Sequence, residues 1–141
     1  MEPKKYRLTK HQSELAVRVT GDSQADLFAN SAAALFDVMV VDMNKVECKD
    51  QLPLEVEGTD RDDLMVNWVR ELLYLYQGSG YLIKEFRIRE VKDTVVKADV
   101  SGEKIDPDRH EIQQEIAAVA FHKSRMEKTG NQWTAHLIFE L

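Results

Sequence analysis

Few side chains in this sequence are of a type and spacing to do chemistry, and the most suggestive is an acid that closes an apolar run. Trp133-Thr134-Ala135-His136-Leu137-Ile138-Phe139-Glu140-Leu141 is rich in aromatic and branched residues and predicts a strand. Last residues fray unless a sheet holds them, so this strand is expected inside one. Glu140 then stands beside the free carboxylate expected at Leu141. Neighbouring carboxylates repel unless a cation, a proton or a basic group lies between them. Glu14, far away in sequence, could join them if the first and last strands pair. Two carboxylates with a carbonyl or water make a sensible partial shell for a hard cation such as Ca²⁺ or Mg²⁺. The competing reading is two solvated glutamates at strand ends.

The other reactive residue types carry weaker signals. His11, His110, His122 and His136 could serve zinc or acid-base chemistry. None is spaced as a metal ligand from another, and there is no His-x-x-x-His. Ser13 lies near His11 but lacks a nucleophile elbow and a third partner. Cys48 is a single cysteine with no partner thiol, which excludes an internal disulfide. Asp60-Arg61-Asp62-Asp63 reads as an acid-rich helix start rather than a metal loop. Trp68 and Trp133 read as core.

The elements that must position these groups follow from periodicity. Tyr6 and Leu8 alternate and begin a strand, and Leu15, Val17 and Val19 alternate up to Gly21. Asp22-Ser23 with Asp26 starts a helix whose stripe is Phe28, Ala32, Leu35 and Met39. Residues 44–58 predict one or two strands with Val46, Leu54 and Val56 inward, and Pro53 argues against a central position. A second helix carries Met65, Trp68, Val69, Leu72 and Tyr76 and stops at Gly78-Ser79-Gly80. Residues 81–91 alternate as a strand, turn near Lys92-Asp93, and pair with Thr94 to Val100. Ser101-Gly102-Glu103 and Asp106-Pro107-Asp108 predict a loop ending near His110. Residues 111–127 are ambiguous: Glu111 to Met126 fit a helix by propensity, and 115–128 fit a strand by period two. The strand is favoured because Gly130-Asn131 supplies a hairpin turn to 132–140. No internal repeat is apparent. The order predicts a single α+β domain over 1–141, a largely antiparallel or mixed sheet with two main helices on one face.

At 141 residues the chain can bury one good core, and 43% hydrophobic with 31% charged residues is an ordinary globular balance. The 25 acids against 19 bases give a net charge of −6, so direct nucleic-acid binding is not expected from the bulk charge. The polar start and the lack of a long apolar run predict a cytoplasmic protein with no membrane partner.

Taken together, the ordered pieces resemble the archease family. They are His11-Gln12-Ser13-Glu14 with its strand and Gly21, the Leu27-Phe28 helix with Ala32-Ala33-Ala34, Leu64-Met65-Val66-Asn67-Trp68 through Glu71-Leu72-Leu73-Tyr74, Gly102-Glu103, His110, Glu115 through His122, and Trp133 to Leu141. The resemblance covers almost the whole chain. It implies a metal-binding accessory protein, not an enzyme, that assists the tRNA-splicing RNA ligase RtcB by promoting its guanylylation and multiple turnover. It implies a divalent metal, calcium first and magnesium or manganese next, held by Glu14, Glu140 and Leu141. It places His11 and His122 beside the metal or a partner. The family usually has Asp where this chain has Glu14 and Glu140, so both carboxylates reach one methylene further. Its usual Lys-Ala-x-Thr-Tyr-His is here Ala117-Ala118-Val119-Ala120-Phe121-His122. Two alternatives remain: a metal-assisted hydrolase using His11, Glu14, His122 and Glu140, and a metal-free protein-interaction module.

Overall fold

The computed structural model describes residues 5–121 and 123–141. The elements run β1 (Tyr6–His11), β2 (Glu14–Gly21), α1 (Gln24–Met39), β3 (Asp50–Glu57), α2 (Arg61–Ser79), β4 (Tyr81–Lys92), β5 (Val95–Lys104), β6 (Ala118–Val119), β7 (Arg125–Thr129) and β8 (Gln132–Glu140). The α+β class holds, with every ladder antiparallel, but the strands form two sheets rather than one. One sheet has the order β1-β2-β8-β6, with β7 also on β8; the other is β3-β5-β4. Pro53 lies in β3, an edge strand, where a missing N–H breaks no central ladder.

The alternating residues do what period two requires. Leu15, Val17 and Val19 of β2 and Ala135, Leu137 and Phe139 of β8 turn inward and are buried with the helix stripes in one core. Trp68 anchors it, meeting the Phe28 ring edge-on at 6.2 Å and donating Nε1–H to the Phe28 carbonyl at 2.9 Å. Gly80 caps α2 with φ 72, a left-handed conformation that costs little without a Cβ.

Both helices start from the same local chemistry, at a spacing of 37 residues. Ser23 and Asp60 accept from the amides of Asp26 and Asp63, whose carboxylates reach back to the amides of Asp22 and Thr59. Asn30 and Asn67 then donate to the carbonyls of Thr20 and Glu57 at the ends of the preceding strands. Gly21 and Gly58 let Leu27 and Leu64 approach those strands, since a Cβ at either would come within 2.6 Å of the leucine backbone. The sequence Gly-x-(Ser/Asp)-x-x-Asp-Leu-x-x-Asn thus recurs, contrary to the expectation of no internal repeat.

One further expectation is narrowed and two are corrected. Within 44–58 only Asp50–Glu57 is a strand; Met43–Lys45 is a single 3₁₀ turn, and Val46 is buried from irregular chain. Ser101-Gly102-Glu103 is not a loop but the end of β5, paired with β4 across a bulge between Ile83 and Glu85. The strand expected over 115–128 is broken. Val119 pairs with Phe139 and Arg125 with His136, so the ladder on β8 is interrupted between β6 and β7. Ser124 Oγ closes the excursion by donating to the Ala120 carbonyl at 2.7 Å.

Candidate functional site

The register of β2 on β8 sets Glu14 directly opposite Glu140. His11 faces Glu14 from β1, and Ala118 faces Glu140 from β6. Opposed residues of an antiparallel ladder project to one face, with Cβ atoms ~4.5–5.5 Å apart. Glu14 and Glu140 therefore share the outer face of the five-stranded sheet, opposite the face that buries Leu15 and Phe139.

Main-chain bonds fix this corner. The tight Gln12-Ser13 connection puts Gln12 at φ 54, a region an L side chain adopts only under constraint. The Ser13 carbonyl accepts from the Leu141 amide at 2.8 Å, and the Glu140 carbonyl from the Ala117 amide at 2.7 Å. Gln77 of α2 donates to the carbonyls of Ile116 and Ala117, holding the far wall. The result is a shallow depression of about 390 Å³ lined by His11, Gln12, Ser13, Glu14, Ala117, Glu140 and Leu141.

The sequence-based ligand set is thus assembled at one corner: Glu14, Glu140 and Leu141 adjoin, and His11 lines the same depression. His122 lies outside the described residues. A base missed from the sequence also reaches the site: Lys123 Nζ is 3.6 Å from Glu14 Oε1. It comes from the excursion between β6 and β7. Among the described residues no third His, Cys, Asp or Glu side chain joins the pair as a metal cluster. The Glu14 and Glu140 carboxylates offer oxygen donors, which suits a hard divalent ion completed by main-chain oxygen and water.

A second charged cluster, also unread from the sequence, is buried behind β5. The Glu103 side chain is 4% exposed and pairs with Arg109, which donates to both carboxylate oxygens, and with Lys49 at 3.5 Å. The Glu47 amide donates to it at 2.6 Å. The Arg109 hydrogen bonds foremost, with that amide and the nearby cations, hold the carboxyl down to about 2. His110, fully buried, accepts the Asp106 amide at Nδ1 and so carries its proton on Nε2, which faces the Lys45 carbonyl and Glu103. Every partner tethers the 45–49 segment to β5 or to the 106–110 turn, so the cluster is a structural clamp. Cys48 beside it is exposed, and burial, then the Glu85 carboxylate, push its thiol up, away from the reactive thiolate. No helix of the described residues is long and apolar enough to cross a membrane.

Comparison with known proteins agrees with this architecture. Residues 6–141 match the model of the Archease protein family (MTH1598/TM1083). A protein archease of Pyrococcus abyssi is 35% identical over 139 residues, covering 96% of this chain and 97% of its own. One from Methanopyrus kandleri is 32% identical over 135 residues, covering 94% and 96%. The solution structure of Methanobacterium thermoautotrophicum protein 1598 superposes with a TM-score of 0.81 at 26% identity, over 99% of this chain and 100% of that one. An archease of Thermotoga maritima described as a possible chaperone shares the fold at TM-score 0.61 and 15% identity, over 94% of each chain.

Proposed function

The chain belongs to the archease family, and on that footing we propose that it is a divalent-cation-binding accessory protein that activates a cytoplasmic RNA ligase of the RtcB type. The observation that carries the reading is the ladder register that sets Glu14 opposite Glu140 on one solvent-facing corner. Calcium is the first choice of ion, since the donors are oxygens on a shallow surface that imposes no tight octahedron; magnesium or manganese come next. The bound ion would supply positive charge where the ligase is guanylylated. This chain's residues hold and present it: Glu14 and Glu140 through carboxylates, Leu141 through main-chain oxygen, with His11 beside them. A net charge of −6 suits docking on a basic, RNA-handling enzyme. The possible chaperone role named for the Thermotoga relative supports action on a protein partner.

The test adds this protein to its cognate ligase and follows GTP-dependent guanylylation over many turnovers. Wild type is expected to sustain turnover and Glu140→Ala to lose that gain. Equal behaviour of the two, with neither raising turnover, removes the proposal. Millimolar Ca²⁺, Mg²⁺ or Mn²⁺ should also raise Tm, by about 2.7 kcal/mol of stability at 100 times Kd.

The Lys123–Glu14 pair favours a second reading, a metal-free module in which the lysine neutralises the corner. Lys123→Met separates the two. Under the metal reading it removes a competing cation and tightens Ca²⁺ binding by up to about fivefold, the worth of an exposed ion pair. Under the metal-free reading neither wild type nor variant responds to any of the three ions in a calorimetric titration.

A further inference from the structure

The same sheet face carries a second row whose charge runs against that of the chain. One residue from each of four strands stands side by side: Arg7 on β1 opposes Arg18 on β2, Arg18 opposes His136 on β8, and His136 opposes Arg125 on β7. With strands ~4.8 Å apart, the row is about 14 Å long. Four residues along β2 separate Arg18 from Glu14, so it lies roughly 13 Å from the carboxylate corner.

Directly opposed like charges destabilise a ladder, and nothing in the fold offsets these. Among the described residues Arg7, Arg18 and Arg125 have no carboxylate within 4.0 Å, as is true of Arg70 and Arg87, but only these three stand together in one row. Glu127, an acid that borders the row on β7, is engaged by His136 at 3.3 Å. At the β1 end the row opens into a depression of about 320 Å³, where Lys5 adds a cation and Thr20 and Gln132 add neutral donors. Three unpaired guanidiniums with hydroxyl and amide donors beside them are the complement of a line of phosphates.

We propose that this face binds the phosphodiester backbone of a nucleic-acid strand, with Arg7, Arg18 and Arg125 on successive phosphates. A net charge of −6 does not oppose this, because the cations are segregated on one face. An acidic protein surface fits less well. The exposed large apolar residues that would anchor a protein lie off this face: Tyr74 on α2, Phe121 against Arg70 of α2, Val41 beyond α1, and Leu8 opposite Val17 on the other side of the ladder. The proposal does not rest on the cation site, and its failure would leave that reading untouched.

The experiment titrates full-length protein into fluorescently labelled single-stranded RNA and DNA of a dozen nucleotides, with labelled polyglutamate of equal charge alongside, at 50 and 200 mM salt. Wild type is expected to bind nucleic acid with Kd between about 10⁻⁴ and 10⁻⁶ M, with log Kobs falling against log salt at a slope of about −2 for three phosphates. The RNA and DNA arms tell which strand it prefers, and preference for either supports the proposal. The variant Arg7→Gln/Arg18→Gln/Arg125→Gln should lose binding at least tenfold and flatten the slope. Circular dichroism and Tm confirm that it is folded, and the single variant Arg18→Gln, expected to reduce the slope by about 0.7, serves if it is not. No binding by wild type at 50 mM salt, equal binding by the variants, or polyglutamate bound as tightly as nucleic acid would each overturn the assignment.

Discussion

Gly102→Ala is expected to lower stability by about 3–5 kcal/mol, a large part of what a domain of this size possesses. Gly102 faces Ile83 where β4 bulges against β5. A Cβ there would overlap the Leu82 carbonyl oxygen and lie 2.8 Å from Ile83 Cα. Both obstacles are backbone in a paired strand, so no rotamer change relieves them, and Leu82 and Ile83 are themselves fully buried. Gly78→Ala is the control: nothing lies within 4 Å of its Cβ, and in the last turn of α2 alanine should be neutral or add up to about 1 kcal/mol. Thermal unfolding checks both. A Gly102→Ala protein melting within a few degrees of wild type would refute this account of the bulge.

Glu103→Gln should cost about 2–3 kcal/mol at pH 7. Removing one partner of a buried pair leaves the other charge poorly satisfied, at roughly 3–5 kcal/mol for full burial. Arg109 is 34% exposed and can turn partly to water, which lowers the figure. The Glu47 amide and the enclosed His110 cannot turn away. The effect has a pH signature. The folded carboxyl sits near 2 against an ordinary 4.5. Its stabilisation is therefore fully present above 4.5 and is lost as pH falls from there through 2. Urea titrations should find the deficit of Glu103→Gln intact at pH 7 and shrinking across pH 4.5 to 2. A deficit of equal size at pH 7 and pH 2.5 would mean that the ionised carboxylate is not what stabilises this clamp.

These two neighbours show what periodicity can and cannot read. Gly102 looked like punctuation because glycine usually ends a strand; here it continues one, because the opposing carbonyl takes the place of a side chain. Glu103 was placed in a loop, and its burial was hidden because its partners come from 45–49 and 109–110, segments without periodic pattern. By contrast both helices, the β4–β5 hairpin and the inward row of β2 were legible from stripe and alternation alone. The Glu14–Glu140 juxtaposition was anticipated only on the condition that the first and last strands pair, which the register of β2 on β8 meets. Lys123 was not, since it depends on a break in the ladder after Ala120 that strand propensity does not encode. The arginine row was hidden too: it exists only once four registers are known, and a net charge averages it away. The repeated helix start was in plain view at Gly21 and Gly58, but its identity is spread over ten residues and few of them match.

The strand at the middle of the five-stranded sheet, β8, is the last of the described strands in chain order. During synthesis β3, β4 and β5 can zip together while β2 still lacks its principal neighbour. Closure waits until 132–140 clear the ribosome, more than a hundred residues after β2, and distant pairings of this kind are slow to form. Any stalled nascent chain that ends before Gln132 leaves one edge of β2 open, with Leu15, Val17 and Val19 short of their cover, and such an edge is prone to aggregation. The acidic corner therefore forms only once β8 has been made and has paired with β2.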